Sequence, residues 1–375
     1  MRRVQMGLTV CLLLGAAAAL LLLPETAAAA AGTAVELCLS TLLPSLFPYF
    51  VLTELWVLLG AAGTLGRRAG RWMGPLFHLP GAAAPALLLG AIGGYPVGAQ
   101  AVGRLYDQGA LTRTEAEQTL LFCNNAGPAF VLGVVGGGLF GSPGLGAVLL
   151  AIHLGSAVLL GVFLRPEGRP RNSQARSDAP PVPFQTALPL AVRQAGSSFL
   201  SVCLFVVFFS VVSALLTALV PAPTAQSSLF ALALGALELA GGTVRLAALS
   251  WPGPWVFAAA AGLLGFGGLC VQMQTQAILS RFGLSGRTFR RGKLLQGLLS
   301  AALALILAPL LPLPAVCWTG GPAALPAGLP WAAGAAALVL AWIFRPHAKN
   351  TLWKSRRKSA IMGPKEVLPC CFGKR

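Results

Sequence analysis

Residues 82–110 read AAAPALLLGAIGGYPVGAQAVGRLYDQGA, an apolar run split in the middle by Gly93-Gly94-Tyr95-Pro96. Pro96 lacks an amide donor and disfavours helix at Tyr95. The paired glycines permit a tight turn. Each limb holds about 10–12 residues, roughly half of the ~20 that an α-helix needs to cross a bilayer. Two forms fit the pattern, a kinked crossing helix and a hairpin that enters and leaves on one side. The short limbs favour the hairpin.

The rest of the chain sets this segment in a membrane. Of 375 residues 56% are apolar and only 10% are charged, against roughly 25% charged in ordinary soluble domains. Mean hydropathy is +0.76. Apolar runs of crossing length lie near 4–23, 34–60, 82–103, 117–140, 144–164, 186–220, 228–249, 255–280, 294–313 and 329–344. Backbone groups in lipid must pair internally, so helices are expected. Period-2 alternation is missing, which argues against a barrel. The run 4–23 follows Arg2 and Arg3 and precedes Ala27 to Ala31. It reads as a first membrane helix in preference to a cleaved signal.

The net charge of +17 invites a nucleic-acid reading, but the basic residues sit between apolar runs. That is how a polytopic protein encodes orientation. Arg67, Arg68 and Arg71, the stretch 281–293, and the tail from Arg345 all mark the cytoplasmic side. The tail has nine basic residues and one acid, Glu366. The connections 24–33, 221–227 and 314–328 carry no Lys or Arg and are expected outside. The organisation expected is a first half over 1–164, a polar Pro-rich linker over 165–185, a second half over 186–344 and a basic tail over 345–375, with both termini cytoplasmic. The side on which 165–185 lies stays open. Four crossings and one hairpin per half give parallel repeats and put it inside; five crossings give inverted repeats and put it outside.

The halves share a pattern. An ungapped shift of 174 carries Gly93-Gly94 onto Gly267-Gly268, Val97 onto Val271, Gln100 onto Gln274, Leu105 onto Leu279, Gly109 onto Gly283 and Arg113-Thr114 onto Arg287-Thr288. Gln and Arg are rare in membrane runs, so their coincidence points to duplication. Interrupted helices at corresponding places in two halves point to a transporter binding site. A third interruption is Cys123-Asn124-Asn125-Ala126-Gly127-Pro128, where two amides stand beside a break. They either glue helices together or face a solute. Of ten acids, Glu54 and Glu238 lie deep in apolar runs, where an ionisable group is a functional candidate by default. The alternative for Glu238 is a structural ion pair with Arg245 or Arg193. His78, His153 and His347 and the eight cysteines have no metal-ligand spacing, and no nucleophile–base arrangement stands out. No metal, cofactor or enzymatic role is expected.

Gly94-Tyr95-Pro96-Val97-Gly98-Ala99, Thr114-Glu115-Ala116-Glu117, and Phe122 to Pro128 resemble the YlbJ-type sporulation integral membrane proteins, in the nucleoside-recognition or Gate-domain group. Leu237-Glu238-Leu239 and the segment Gly267 to Gln276 fit as well, so the likeness runs from about 35 to 315. The resemblance implies re-entrant hairpins like those of concentrative nucleoside transporters and a role in endospore formation. It implies dipicolinate as the solute, moved across the outer forespore membrane.

The resulting expectation is an all-α polytopic membrane protein of about 8–10 membrane segments, with two duplicated halves and discontinuous, re-entrant helices. It would transport a small anion by alternating access. The expected solute contacts are Gly93, Gly94, Tyr95, Gln100, Asn124, Asn125, Gln272, Gln274 and Gln276. Glu238 and Glu54 are the expected coupling or gating carboxylates. The partners expected are the small-molecule anion, membrane lipid, and either a second copy or another sporulation membrane protein, but no nucleic acid. The rival readings are a non-transporting assembly protein of the sporulation envelope, a nucleoside transporter, and an enzyme acting on a lipid-linked substrate.

Overall fold

The computed structural model describes residues 2–167, 182–246 and 251–313. The expected segment 329–344, the basic tail and most of the linker lie outside these residues. Among the described residues there is no strand. Helix α1 spans Arg2–Leu22, and α2 spans Pro24–Leu37, passing through a π-turn at Cys38–Leu42 into α3, Leu43–Leu58. The helix therefore begins ten residues before the expected 34. Pro24 occupies its first turn, where a missing N–H costs nothing, and alanine is the best helix former. The stretch 24–33 is thus helix and not an open connection.

Helix α4, Ala61–Phe77, is short and two-faced. Arg68, Arg71 and Trp72 are exposed, while Met73 and Phe77 are buried. Arg71 lies 5.7 Å from the Trp72 ring centre. Such a helix suits the membrane interface. Next come α5, Ala84–Gly93, and α6, Val97–Asp107. They fold back on each other. A Cβ placed on Gly90 would lie 2.9 Å from Gly98 Cα, although eight residues in one straight helix span about 12 Å. The turn is made by Gly94 at φ +82° and a cis Tyr95–Pro96 bond. The hairpin expected at 82–110 is present.

Helix α7, Arg113–Thr119, starts with a capping box. Glu115 N donates to Thr112 Oγ1 (3.3 Å) and Thr112 N donates to Glu115 Oε2 (2.8 Å). The chain then opens through Cys123–Pro128 and continues as a π-helix, Phe130–Leu139. The run 117–140 is therefore a broken span. Helices α8, Pro143–Phe163, and α9, Phe184–Leu219, are long and unbroken. After α10, Ala222–Ala225, come α11, Ser228–Leu237, and α12, Leu239–Leu246. These form a second hairpin with Glu238 at its tip. A Cβ on Gly242 would collide with Gly235 Cα. The run 228–249, expected to cross, instead turns back.

Helices α13, Gly253–Phe266, and α14, Gly268–Arg281, follow one after the other, and together they are long enough to span a bilayer. They are interrupted at Gly267 and Gly268, with φ of +80° and +72°. The second-half interruption is thus a broken span and not a hairpin. Helix α15, Arg287–Leu307, completes the described set. Among the described residues four helical stretches are long and apolar enough to cross a membrane, or up to six if each bent pair counts as one span. Shorter apolar helices complete the bundle.

Hydrogen bonds sort the ends. Arg113 Nη2 donates to Gly283 O (2.9 Å), Arg165 Nη1 to Pro75 O (3.1 Å), His78 Nδ1 to Pro166 O (2.8 Å) and Val182 N to Leu58 O (3.0 Å). These residues share one end, which carries most of the arginines. At the other end Phe140 meets Phe257 (5.5 Å between ring centres), and Arg245 donates to Thr217 (3.1 Å). The first hairpin enters from the basic end and the second from the opposite end. Each is followed by a broken span running away from its own entry side. The two units are inverted, yet residues 165–167 stand at the basic end. Neither counting scheme drawn from the sequence foresaw that combination.

Candidate functional site

The two hairpin tips and the two breaks meet in the middle of the bundle. A Cβ on Gly94 would sit 2.8 Å from Gly127 N, so the first tip lies against the first break. A Cβ on Gly268 would sit 3.3 Å from Leu239 N, so the second tip lies against the second break. The two pairs also touch, because Tyr95 Oη donates to Leu264 O (2.6 Å) just before Gly267. Beside this junction is a cavity of about 870 Å³. Its walls come from α2–α3, α9, both tips, the first break and α14 just after the second break, and are mainly apolar. Polar atoms enter from Tyr49, Tyr95, Ser213, Glu238, Arg245 and Gln274.

The cavity wall includes residues at the starts of α12 and α14 and of the π-helix, together with the turn that precedes α6. Helix N-termini carry partial positive charge and donate N–H groups. Glu238 occupies that of α12 itself: Ala240 N donates to Oε1 (2.8 Å) and Gly241 N to Oε2 (2.5 Å). The ion pair with Arg245 considered for it is not formed, since Arg245 donates to Thr217 instead. Glu238 is 8% exposed and faces the cavity.

Of the residues expected to touch solute, Gly93, Gly94, Tyr95 and Gln274 line the cavity. Asn124 and Asn125 sit behind its wall. Asn124 Nδ2 donates to Thr275 Oγ1 (3.2 Å), and Ala99 N donates to Asn124 Oδ1 (3.4 Å). Asn125 Nδ2 donates to Phe122 O (3.0 Å). Both amides hold the first break against neighbouring elements. Gln272 is turned to Phe266 O (3.3 Å), satisfying a carbonyl freed at the second break. Gln276 is far from the junction and accepts from Arg290 Nη1 (3.0 Å) near the basic end.

Gln100 and Glu54 form a separate cluster. Glu54 is 1% exposed. Its Oε1 accepts from Gln100 Nε2 (2.6 Å) and Arg104 Nε (3.0 Å), and its Oε2 is 2.9 Å from Arg104 Nε. Arg104 Nη2 also donates to Gln194 Oε1 (2.6 Å). The cluster ties the first hairpin to α3 and α9, and Glu54 does not reach the cavity. Its burial in a paired state explains how a carboxylate is tolerated there.

One cluster escaped the sequence reading. Lys293 looked like part of the basic loop 281–293, but it is 1% exposed within α15. Its Nζ donates to Asn124 O (3.0 Å) and Gln296 Oε1 (2.6 Å), and lies 4.8 Å from the Tyr95 ring centre. Gln296 Nε2 donates to Asn125 Oδ1 (3.0 Å) and His153 O (2.9 Å). Ser300 continues the row with a 2.7 Å bond to Ser156. The spacing 293, 296, 300 places all three on one helical face, and that polar stripe was the available signal.

Residues 39–143, from the π-turn before α3 through the first hairpin and first broken span, match the family described as Gate, nucleoside recognition. The match marks a Gate-like region within the chain. Glu54, Gly93, Gly94, Tyr95, Gln100, Asn124 and Asn125 all fall inside it. The chain is also 27% identical over 317 residues to the sporulation integral membrane protein YlbJ of Bacillus subtilis (strain 168), covering 73% of this chain and 76% of that protein. No solved structure matches. The Gate match covers the half with the first hairpin. The second hairpin and second break lie beyond it and complete the cavity.

Proposed function

We propose that this membrane protein is an alternating-access transporter of a small anionic metabolite. The carrying observation is the convergence of two inverted hairpins and two broken spans on one cavity of about 870 Å³, with helix N-termini at its wall. Irregular backbone at membrane depth is tolerated where it meets protein, water or solute. Each N-terminus favours an anion by about 0.3–1 kcal/mol, and by up to ~2 when partly buried. Glu238 takes up that of α12, and the start of α14, through Cys270 and Val271, faces the cavity beside it. Rocking of one hairpin–span unit against the other would expose the cavity to each side in turn. The groups gathered at the cavity are backbone dipoles, hydroxyls, the Gln274 amide, the Glu238 carboxylate and the Arg245 guanidinium, a set that suits binding of a polar solute.

The relative's name supports a role in sporulation. Dipicolinate, a flat dianion, is the solute we assign, with the outer forespore membrane as its site of action. The arginine-rich end would face the mother-cell cytoplasm under the positive-inside rule. A nucleoside is the second reading, favoured by the family's description and by the Glu238 carboxylate, which could accept ribose hydroxyl bonds. Uptake of labelled dipicolinate into liposomes holding the purified chain tests both. Competition by excess uridine would move the assignment to nucleosides. Loss of uptake in Gln274→Ala, with folding retained, supports the cavity as the path. Neither uptake nor binding of either solute by folded protein would sink the transport reading.

A further inference from the structure

Lys293 carries a basic group buried beside the first break, 1% exposed. It lies six residues, about 9 Å of helix, inside the first residue of α15. Among the described residues no carboxylate comes within ion-pair distance of it. Its three donors are nevertheless directed: one to a carbonyl, one to an amide oxygen and one toward the face of Tyr95. The carbonyl belongs to Asn124, whose helical partner four residues on would be Pro128, which has no N–H to give. The amide is oriented by its surroundings. Gln296 spends its NH₂ on Asn125 and His153, so its oxygen is turned to the ammonium. Tyr95 is the tip of the first hairpin and part of the cavity wall.

An orphan carbonyl at an unwound span, an oriented amide oxygen and an aromatic face make a cation site. Here the chain's own ammonium stands in it. We infer that Lys293 is a tethered cation occupying the place of a coupling metal ion at the broken span. The proposal rests on the transport reading only for its consequence, that solute movement needs no sodium gradient. The site itself is a claim about binding. Lys293→Ala would remove the equivalent of propylammonium and leave a vacancy that a small cation fills.

The test is cation-dependent thermal unfolding of the full chain in detergent, with choline chloride holding ionic strength constant. Lys293→Ala should be stabilised by propylammonium, with Na⁺ run in parallel. At ten times the dissociation constant the folded-to-unfolded ratio rises roughly tenfold. The native chain should not respond, and neither should Lys293→Met, whose side chain fills the slot. Folded Lys293→Ala that ignores both cations overturns the proposal. A native chain whose midpoint rises with Na⁺ over choline also overturns it. That second arm needs no variant, so it decides the matter even where Lys293→Ala fails to fold; an unchanged native midpoint then supports the assignment. Uptake is read separately. A sodium requirement for uptake overturns the tethered cation, whereas absent uptake with intact propylammonium rescue overturns transport and leaves the site.

Discussion

Replacing Arg104 by methionine keeps most of the side chain's length and removes its charge. Glu54, 1% exposed, would then keep only the 2.6 Å bond from Gln100. It would lose the guanidinium that stands 2.9 and 3.0 Å from its two oxygens. The 2.6 Å bond to Gln194 would go too. Stranding one member of a buried pair costs about 3–5 kcal/mol. Arg104 is 22% exposed, so water softens the loss toward ~3 kcal/mol. Removing both charges in Arg104→Met with Glu54→Gln should recover most of that, because the uncompensated carboxylate is gone. Unfolding by a graded denaturing detergent, run as a double-mutant cycle, measures the coupling. A coupling of about 2 kcal/mol is expected. A value under ~0.5 kcal/mol, or a lone Arg104→Met that unfolds like the native chain, would refute the view that this cluster latches the first hairpin to α3 and α9.

Three further outcomes follow from the geometry. Gly98→Val should abolish stable folding or solute binding, since a Cβ there would collide with the Cys123 carbonyl; native unfolding behaviour would contradict the close approach of hairpin and break. Glu238→Ala removes the cap on α12 and should cost about 0.5–2 kcal/mol in the same detergent titration, with a change in solute selectivity as a second readout. Single cysteines at Gly109 and Ser285, in a background freed of native thiols, should react with an impermeant reagent from one side. Cysteines at Ser142 and Ser227 should react from the other, and a common side for all four would overturn the inverted arrangement.

How much of this was legible depends on what each residue's signal reports. The first hairpin was, because proline and paired glycines act locally and half-length limbs cannot cross. The helix from Pro24 was not, because an alanine run after proline resembles a cleavage region as closely as a helix start. Lys293 was misread because it stands two positions after Arg291 and three after Arg290, and charge counting ignores which way a helical residue faces. The two asparagines were rightly seen as belonging to a break, but whether they face solute or neighbouring chain depends on Thr275 and Gln296, some 150 or more residues away. Gln276 was drawn in by its alternation with Gln272 and Gln274. In a helix, residues two apart point to different faces, and only Gln274 reaches the cavity.

The shift of 174 residues shows why identity and architecture can disagree. Gly109 and Gly283 both take positive φ (+72° and +65°). Ala110 N and Leu284 N both close onto the leucine five residues back. Arg113 and Arg287 both begin helices. The local likeness is therefore real, and it follows from a shared helix-ending chemistry. Yet α6 is the second limb of a hairpin, whereas α14 is the second half of a span. The element that plays the first hairpin's part in the second half is α11–α12, whose tip is Glu238 and whose sequence the shift does not align. What the two hairpins share is physical and not literal. Each turns at a point where a backbone cannot stay helical, and each presents that tip to a broken span and to the cavity between them. The first tip carries Tyr95, backed by the cation Lys293; the second carries the carboxylate of Glu238 on its own amides. If the units move against each other, Tyr95 with Lys293 behind it and Glu238 on its own amides are the groups whose surroundings change.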